Sequence, residues 1–243
     1  MVKCCKEVIV MKIMSFNTQH CLNFLEQKID FEIMAKAISD VGADIVGLNE
    51  MYDVGEKDTF GKETKILSDL TGLENWYFAE AINIPWEGLP YGNGFLSRIP
   101  FKSVETIKIP DPNPRKYDGY YETRCVLKAE LENGYTVLVT HFGLNPDEQE
   151  NAVNTILEHI KDEKCILMGD FNVTPDNSVL DPIRAKMKDT SIGFCENKPS
   201  FPSDKPTIKI DYIFVSPDIE VVSSDIPEII ASDHRPHVAE VKI

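Results

Sequence analysis

The residues of this chain that could do chemistry stand at the ends of apolar runs: Asn17, Glu50, His141, Asp170, Asn172, Asp233 and His234, with Asp211 inside such a run. The sharpest case is CILMGDFN at 165–172, which reads as a buried strand stopped by a glycine and then by polar groups. Alternation along an extended chain sends Asp170 and Asn172 to one side and Phe171 to the other, where it anchors the turn in the core. A carboxylate and an amide at one strand end offer an acceptor and a donor to the same small ligand. Carboxylates and amides are hard oxygen ligands suited to Mg²⁺ or Mn²⁺, whereas the few histidines and scattered cysteines make no zinc pattern. Asp211, in IKIDYIFV, would be costly to bury alone, and a histidine partner would remove that cost.

Those side chains can act together only if their strands end at one edge. Residues 11–16 (MKIMSF) read as a first strand with Asn17 at its end. Asp30 caps a helix with Phe31, Met34, Ile38 and Val41 at helical spacing; Gly42 stops it, and DIVGLN then delivers Glu50. A strand–helix–strand order favours a right-handed parallel crossover, so Asn17 and Glu50 should emerge side by side. A helix over about 61–71, a strand WYFAE, a loop NIPWEGLPYGNG and a strand GFLS follow. Strands near 104–109 and 124–131 flank a Pro-, Gly- and Tyr-rich loop, PDPNPRKYDGYY. RCVLKAEL and YTVLVT, joined through Asn133-Gly134, carry the strongest hairpin signal, and His141 lies directly past it. Asn145-Pro146-Asp147 opens a helix through Lys161, and Asp181-Pro182 starts another. IKIDYIFV, a stretch near 219–222 and HVAEVK supply the last strands.

No linker or repeat divides the 243 residues, so 11–243 reads as a single domain, with 1–10 an N-terminal extension and Met11 a candidate start. Forty acidic against twenty-five basic residues, a net charge of −15, oppose non-specific binding to a nucleic-acid duplex, whose favourable term comes from Lys and Arg. The six cysteines show no disulfide spacing, and Cys125 and Cys165 sit in apolar runs as buried thiols, so a reducing, cytoplasmic location is expected. The first apolar run is too short for a signal peptide, and no segment reaches membrane-spanning length. Nothing in the pattern implies a protein partner.

Taken in order, Asn17, the L-N-E ending in Glu50, T-H-F with His141, G-D-F-N at 169–172, I-D-Y-I-F at 210–214 and S-D-H-R-P at 232–236 resemble the motifs of the endonuclease/exonuclease/phosphatase superfamily. The resemblance covers residues 11–243 and implies the deoxyribonuclease-I-like fold. That is an α/β four-layered sandwich of two facing mixed β-sheets flanked by helices, with the active site at one edge between the sheets. By the same resemblance, Glu50 is the principal metal ligand, assisted by Asn17 and Asp233, while Asp170 and Asn172 hold the attacking water and the phosphate. His234, oriented by Asp211, would stabilise or protonate the phosphoryl group, and His141 would stand near the leaving oxygen. The implied activity is Mg²⁺-dependent hydrolysis of a phosphodiester or phosphomonoester by direct attack of water, with Mn²⁺ the alternative cation. Nucleic acid and small-molecule or lipid phosphoesters are both open as substrates. The competing reading is a binding protein that kept the fold and lost the chemistry. The chain departs from the pattern at Asn49, where many members carry Gln, and at Gln19, an amide where a second ligand would stand.

Arg124, beside Glu122, is either a phosphate contact or half of a sheet-edge salt bridge, and Asn93 in YGNGF is the other phosphate candidate. Trp86, Leu89 and Tyr91 in one loop, and Arg115, Lys116, Tyr117, Tyr120 and Tyr121 in another, could meet a base, sugar or lipid, or pin their own loops. His237 should face away from His234, and His20 and His159 should lie at the surface.

Overall fold

The computed structural model describes residues 10–54, 61–84 and 88–243. Strand β1 (Val10–Asn17) leads through the short pair β2 (Leu22–Asn23) and β3 (Lys28–Ile29) to helix α1 (Phe31–Val41) and strand β4 (Ile45–Tyr52). The Asp30 carboxylate accepts the Ile33 N–H at 3.1 Å, and Gly42, at φ 68°, closes α1 with its own N–H on Ile38 and Ser39 carbonyls. Next come α2 (Glu63–Thr71), β5 (Asn75–Ile84), β6 (Leu89–Ser97) and β7 (Phe101–Lys108). β8 (Cys125–Leu131) and β9 (Thr136–His141) form the expected hairpin, with Gly134 at φ 89° in the turn. The chain ends through α3 (Pro146–His159), β10 (Cys165–Asp170), α4 (Asp181–Arg184), β11 (Lys188–Asp189), β12 (Asp211–Val215), β13 (Val221–Asp225) and β14 (His237–Lys242).

These strands build two mixed six-stranded sheets, ordered β13-β14-β1-β4-β6-β5 and β11-β12-β10-β9-β8-β7. Alternation decides the layers. Ile13, Ile45, Phe95, Val139, Ile166, Met168 and Ile213 fill the space between the sheets. Met14, Phe16 and Val46 face outward under Met34 and Ile38 of α1 and Leu67 of α2. Leu138, Leu167 and Phe214 face the opposite side, under Val153 and Ile156 of α3 and Ile183 of α4. The result is helix, sheet, sheet, helix: the four layers expected. The sheets pack tightly at Gly47, where an added Cβ would sit 2.7 Å from Met168 Sδ.

Two parallel pairings align the strand ends. β1 runs beside β4 with Asn17 opposite Asn49, and β9 runs beside β10 with His141 opposite Asp170. Three expectations need correction. NIPWEGLPYGNG is mostly not a loop: β5 and β6 form a long hairpin through it, and Gly92 serves close strand packing, since a Cβ there would meet the Ala79 carbonyl at 2.0 Å. Asp211 lies not in mid-strand but at the first residue of β12, opposite Asp170. Glu50 does not end its strand: β4 continues to Tyr52 through a register shift at which Glu50 takes φ 60°. Trp86 lies outside the described residues.

Candidate active site

Each sheet supplies half of a polar cluster at one edge of the sandwich. β1, β4 and the turn before β14 bring Asn17, Glu50, Asp233 and His234. β9, β10 and β12 bring His141, Asp170 and Asp211, and the turn after β10 adds Asn172. Gly169 makes the close approach of the β9 and β10 backbones feasible, because at φ 150° a Cβ would lie 1.8 Å from the Thr140 carbonyl oxygen. Phe171 fixes the turn, packing its ring 4.6 Å from Phe142, 5.3 Å from Tyr212 and 5.5 Å from Phe214. Removing so buried a ring costs about 3–5 kcal/mol.

The Asp170 carboxylate is the centre. Its Oδ1 accepts the Asn172 N–H at 2.9 Å, and its Oδ2 accepts from Asn17 Nδ2 at 3.1 Å. The same Oδ2 lies 3.5 Å from His141 Nε2 and 3.6 Å from His234 Nε2. Asn17 Nδ2 also donates to Glu50 Oε1 at 3.0 Å, so one amide joins the two carboxylates. His234 Nδ1 is 2.9 Å from Asp211 Oδ2, the histidine partner that the buried aspartate required. Glu50 and Asn172 both adopt left-handed backbone, at φ 60° and 51°, a strain of order 1–3 kcal/mol that surrounding structure must hold.

Charge states follow from these neighbours. Burial pushes the Asp170 carboxyl up, to about 7, against the lowering charge of His234. Burial alone would lower His234, but the charges of Asp211 and Asp170 and the Asp211 hydrogen bond outweigh it and raise the imidazole to about 10. Burial, reinforced by the charges of Arg124 and His234, holds His141 well below the usual range. Burial raises Asp233, with the Glu50 charge adding to the effect.

One ligand atom each of Asp170, Asp211 and His234 lies within 4.8 Å of the others, a spacing a cation could use. His234 has both ring nitrogens turned to carboxylates, however, and as an imidazolium it has no lone pair to give. Glu50 and Asp233 fit a divalent cation better. Both are half-buried acids that form no salt bridge with Lys or Arg among the described residues, and the charge of Glu50 adds to the cost of ionising Asp233. With the Asn17 carbonyl oxygen they make an all-oxygen set of the kind Mg²⁺ takes.

The remaining candidates sort clearly. Arg124 Nη1 is 2.7 Å from Glu122 Oε1 and 2.8 Å from His141 Nδ1, so it forms the salt bridge and also reaches the cluster. Asn93 is 2% exposed; its Oδ1 accepts from Asn49 at 2.8 Å and its Nδ2 donates to the Cys125 carbonyl at 3.0 Å, which makes it framework. Leu89 and Tyr91 are buried in β6, Tyr121 is tied to Asp147 at 3.0 Å, and Tyr117 and Tyr120 are exposed. His237 turns away from His234 to Ser224 Oγ at 2.9 Å. His20 and His159 are half-buried, and the His20 ring packs 5.6 Å from Tyr52. Asn49 is the residue sequence reasoning undervalued. It donates to the Thr140 carbonyl at 2.8 Å and accepts the Asp170 N–H at 2.9 Å, stitching the two sheets directly beneath the cluster. Its one visible signal was a buried amide next to Glu50.

Facing sheet edges that join carboxylates, amides and a carboxylate-backed histidine make an arrangement that could bind a cation and a phosphoester. The family model described as the Endonuclease/Exonuclease/phosphatase family matches residues 14–234, and the chain belongs to that family, whose members are hydrolases acting on phosphoester bonds. Solved structures agree on the fold. An endonuclease/exonuclease/phosphatase from Beutenbergia cavernae DSM 12333 superposes with a TM-score of 0.81 at 21% identity, covering 96% of this chain and 72% of that one. A mannosyl-6-phosphatase from Bacteroides thetaiotaomicron VPI-5482 gives 0.73 at 16% identity, over 96% and 100% of the two chains. Truncated Caenorhabditis elegans TDP2 gives 0.66 at 14% identity, over 97% and 98%. A search of curated proteins finds no significant sequence match. No helix among the described residues is long and apolar enough to cross a membrane.

Proposed function

We propose that this chain is a Mg²⁺-dependent phosphoesterase that hydrolyses a small phosphomonoester or phosphodiester by direct attack of water. The supporting observation is the Asp170 carboxylate, set among Asn17, His141 and His234 and joined through Asn17 to Glu50. Glu50, Asn17 and Asp233 would hold the cation, which when bound neutralises phosphoryl charge and polarises a phosphoryl oxygen. Asp170, buried and raised to about 7, suits a general base that orients the attacking water and accepts its proton near neutral pH. His234, charged and backed by Asp211, presents Nε2–H to the phosphoryl group or leaving oxygen. Asn172 offers an amide N–H to the phosphate.

A net charge of −15 disfavours a duplex, and a family neighbour of similar length is named for a sugar phosphate. The test is a hydrolysis panel with and without Mg²⁺: bis-p-nitrophenyl phosphate, p-nitrophenyl phosphate, sugar phosphates, lyso- and sphingo-phospholipids, and abasic, single-stranded and duplex DNA. Turnover of small esters that stops on chelation is the expected result. Faster cleavage of duplex DNA than of every small ester would overturn the substrate reading, and full activity in a chelator would overturn the metal reading.

A further inference from the structure

Arg124 directs its guanidinium at a histidine. Its Nη1 lies 2.8 Å from His141 Nδ1 while it is paired with Glu122 Oε1 at 2.7 Å, and the arginine side chain is only 10% exposed. Tyr91, buried in β6, lies near the same group. Arginine has donors only, so His141 Nδ1 must accept. A neutral imidazole that accepts at Nδ1 carries its proton on Nε2.

Among the described residues that Nε2–H has no good acceptor. Asp170 Oδ2 stands at 3.5 Å, beyond the length of an ordinary hydrogen bond, and the nearer atom, Asn172 Nδ2 at 3.1 Å, is itself a donor. Asn172 Nδ2 already spends one hydrogen on the Phe142 carbonyl at 3.0 Å, and turning the amide over would set oxygen against oxygen there. Two N–H groups therefore converge at one place, and no acceptor among the described residues lies within ordinary hydrogen-bond length of both. Such a pair is relieved only by an acceptor that reaches both, and a phosphoryl oxygen is one.

We propose that Arg124, held by Glu122, is a positioning residue that locks His141 as a neutral Nε2–H donor, so that His141 and Asn172 jointly cradle one phosphoryl oxygen and His141 transfers no proton. This rests on the phosphoesterase reading above. The charged groups packed on His141 are Arg124 before β8, Asp170 on β10 and His234 before β14, with Glu122 behind Arg124. Two of the three that face it are cationic, and the one carboxylate is shared with His234. The depressed basicity of His141 is consistent with that surround.

The test reads the tautomer directly. With ¹⁵N-histidine labelling, the five histidines are few enough to assign, and loss of one signal set in His141→Gln identifies His141. The expected result, from about pH 8 to about pH 5, is an unprotonated Nδ1 and a protonated Nε2 throughout, while Arg124→Met lets His141 take up a second proton within that range. An imidazolium or an Nδ1–H tautomer in the native chain at about pH 6, or an unchanged titration in Arg124→Met, would overturn the lock. A kinetic arm separates donation from proton transfer. Glutamine can donate but not relay, so His141→Gln should recover at least tenfold of the roughly 10²–10³-fold loss expected for His141→Ala. Equal loss in both variants would mean that His141 moves a proton. The spectra need no substrate, so a chain inert on every phosphoester would sink the phosphoesterase reading and leave the tautomer result standing.

Discussion

Asp211→Asn isolates the charge behind His234 without removing volume. The imidazole stands at about 10 against an ordinary 6.5, a gap of roughly 3.5 units, or ~5 kcal/mol at about 1.4 kcal/mol per unit. Asp170 shares in that gap, but Asp211 has the larger effect and makes the 2.9 Å bond, so about 2–3 kcal/mol belongs to it. The variant should therefore lose about that much stability and about 10²–10⁴-fold in turnover, the range for a mispositioned acid. Because the folded value is raised, the stabilisation is complete below about 6.5 and lost as pH rises through about 10. The native chain's advantage over the variant should thus be greatest near about pH 6 and shrink toward about pH 10, with the alkaline limb of activity moving down. Urea unfolding and bis-p-nitrophenyl phosphate hydrolysis across that range supply both curves. A stability gap that is flat with pH, or a variant within threefold of native turnover with an unmoved alkaline limb, would refute the reasoning.

Glu50→Gln should abolish Mg²⁺-dependent turnover, and a thermal melt should show Mg²⁺ stabilising the native chain, by ~2.7 kcal/mol at a hundredfold excess over Kd, but not the variant. Gly169→Ala must displace backbone, since its Cβ would sit 1.8 Å from the Thr140 oxygen; a loss above ~3 kcal/mol in urea unfolding is expected. Asn49→Ala strands the Asp170 N–H and the Thr140 carbonyl and should cost about 2–3 kcal/mol, together with turnover, while an intact far-ultraviolet spectrum shows the fold retained.

The placement of Asn17 beside Glu50 was legible because run length and a helical crossover leave little choice about which ends meet. His141 beside Asp170 was legible as two strand ends but not as a register pair, since register depends on partners the local pattern does not name. Pro90, Gly92 and Gly94 read as turn residues, yet the glycines serve close approach, to Ala79 for Gly92 and to Thr64 for Gly94. Local propensity does not distinguish those uses. The framework role of Asn49 was hidden for a related reason. Its value lies in Thr140, 91 residues away, and in the Asp170 amide, 121 away, and nothing nearby in the chain records them. The left-handed turn at Glu50 was hidden too, because a carboxylate tolerates that conformation only when tertiary contacts hold it.

Strand β14 lies between β13 and β1, and the turn that leads into it carries Asp233 and His234. On the ribosome, then, β1 waits with an open hydrogen-bonding edge while more than two hundred residues are made, and the candidate base Asp170 exists long before its imidazolium partner. Phosphoester cleavage should accordingly appear only when β14 docks, so that onset of activity times the closing of the sandwich and chains that have not yet made β14 stay chemically silent.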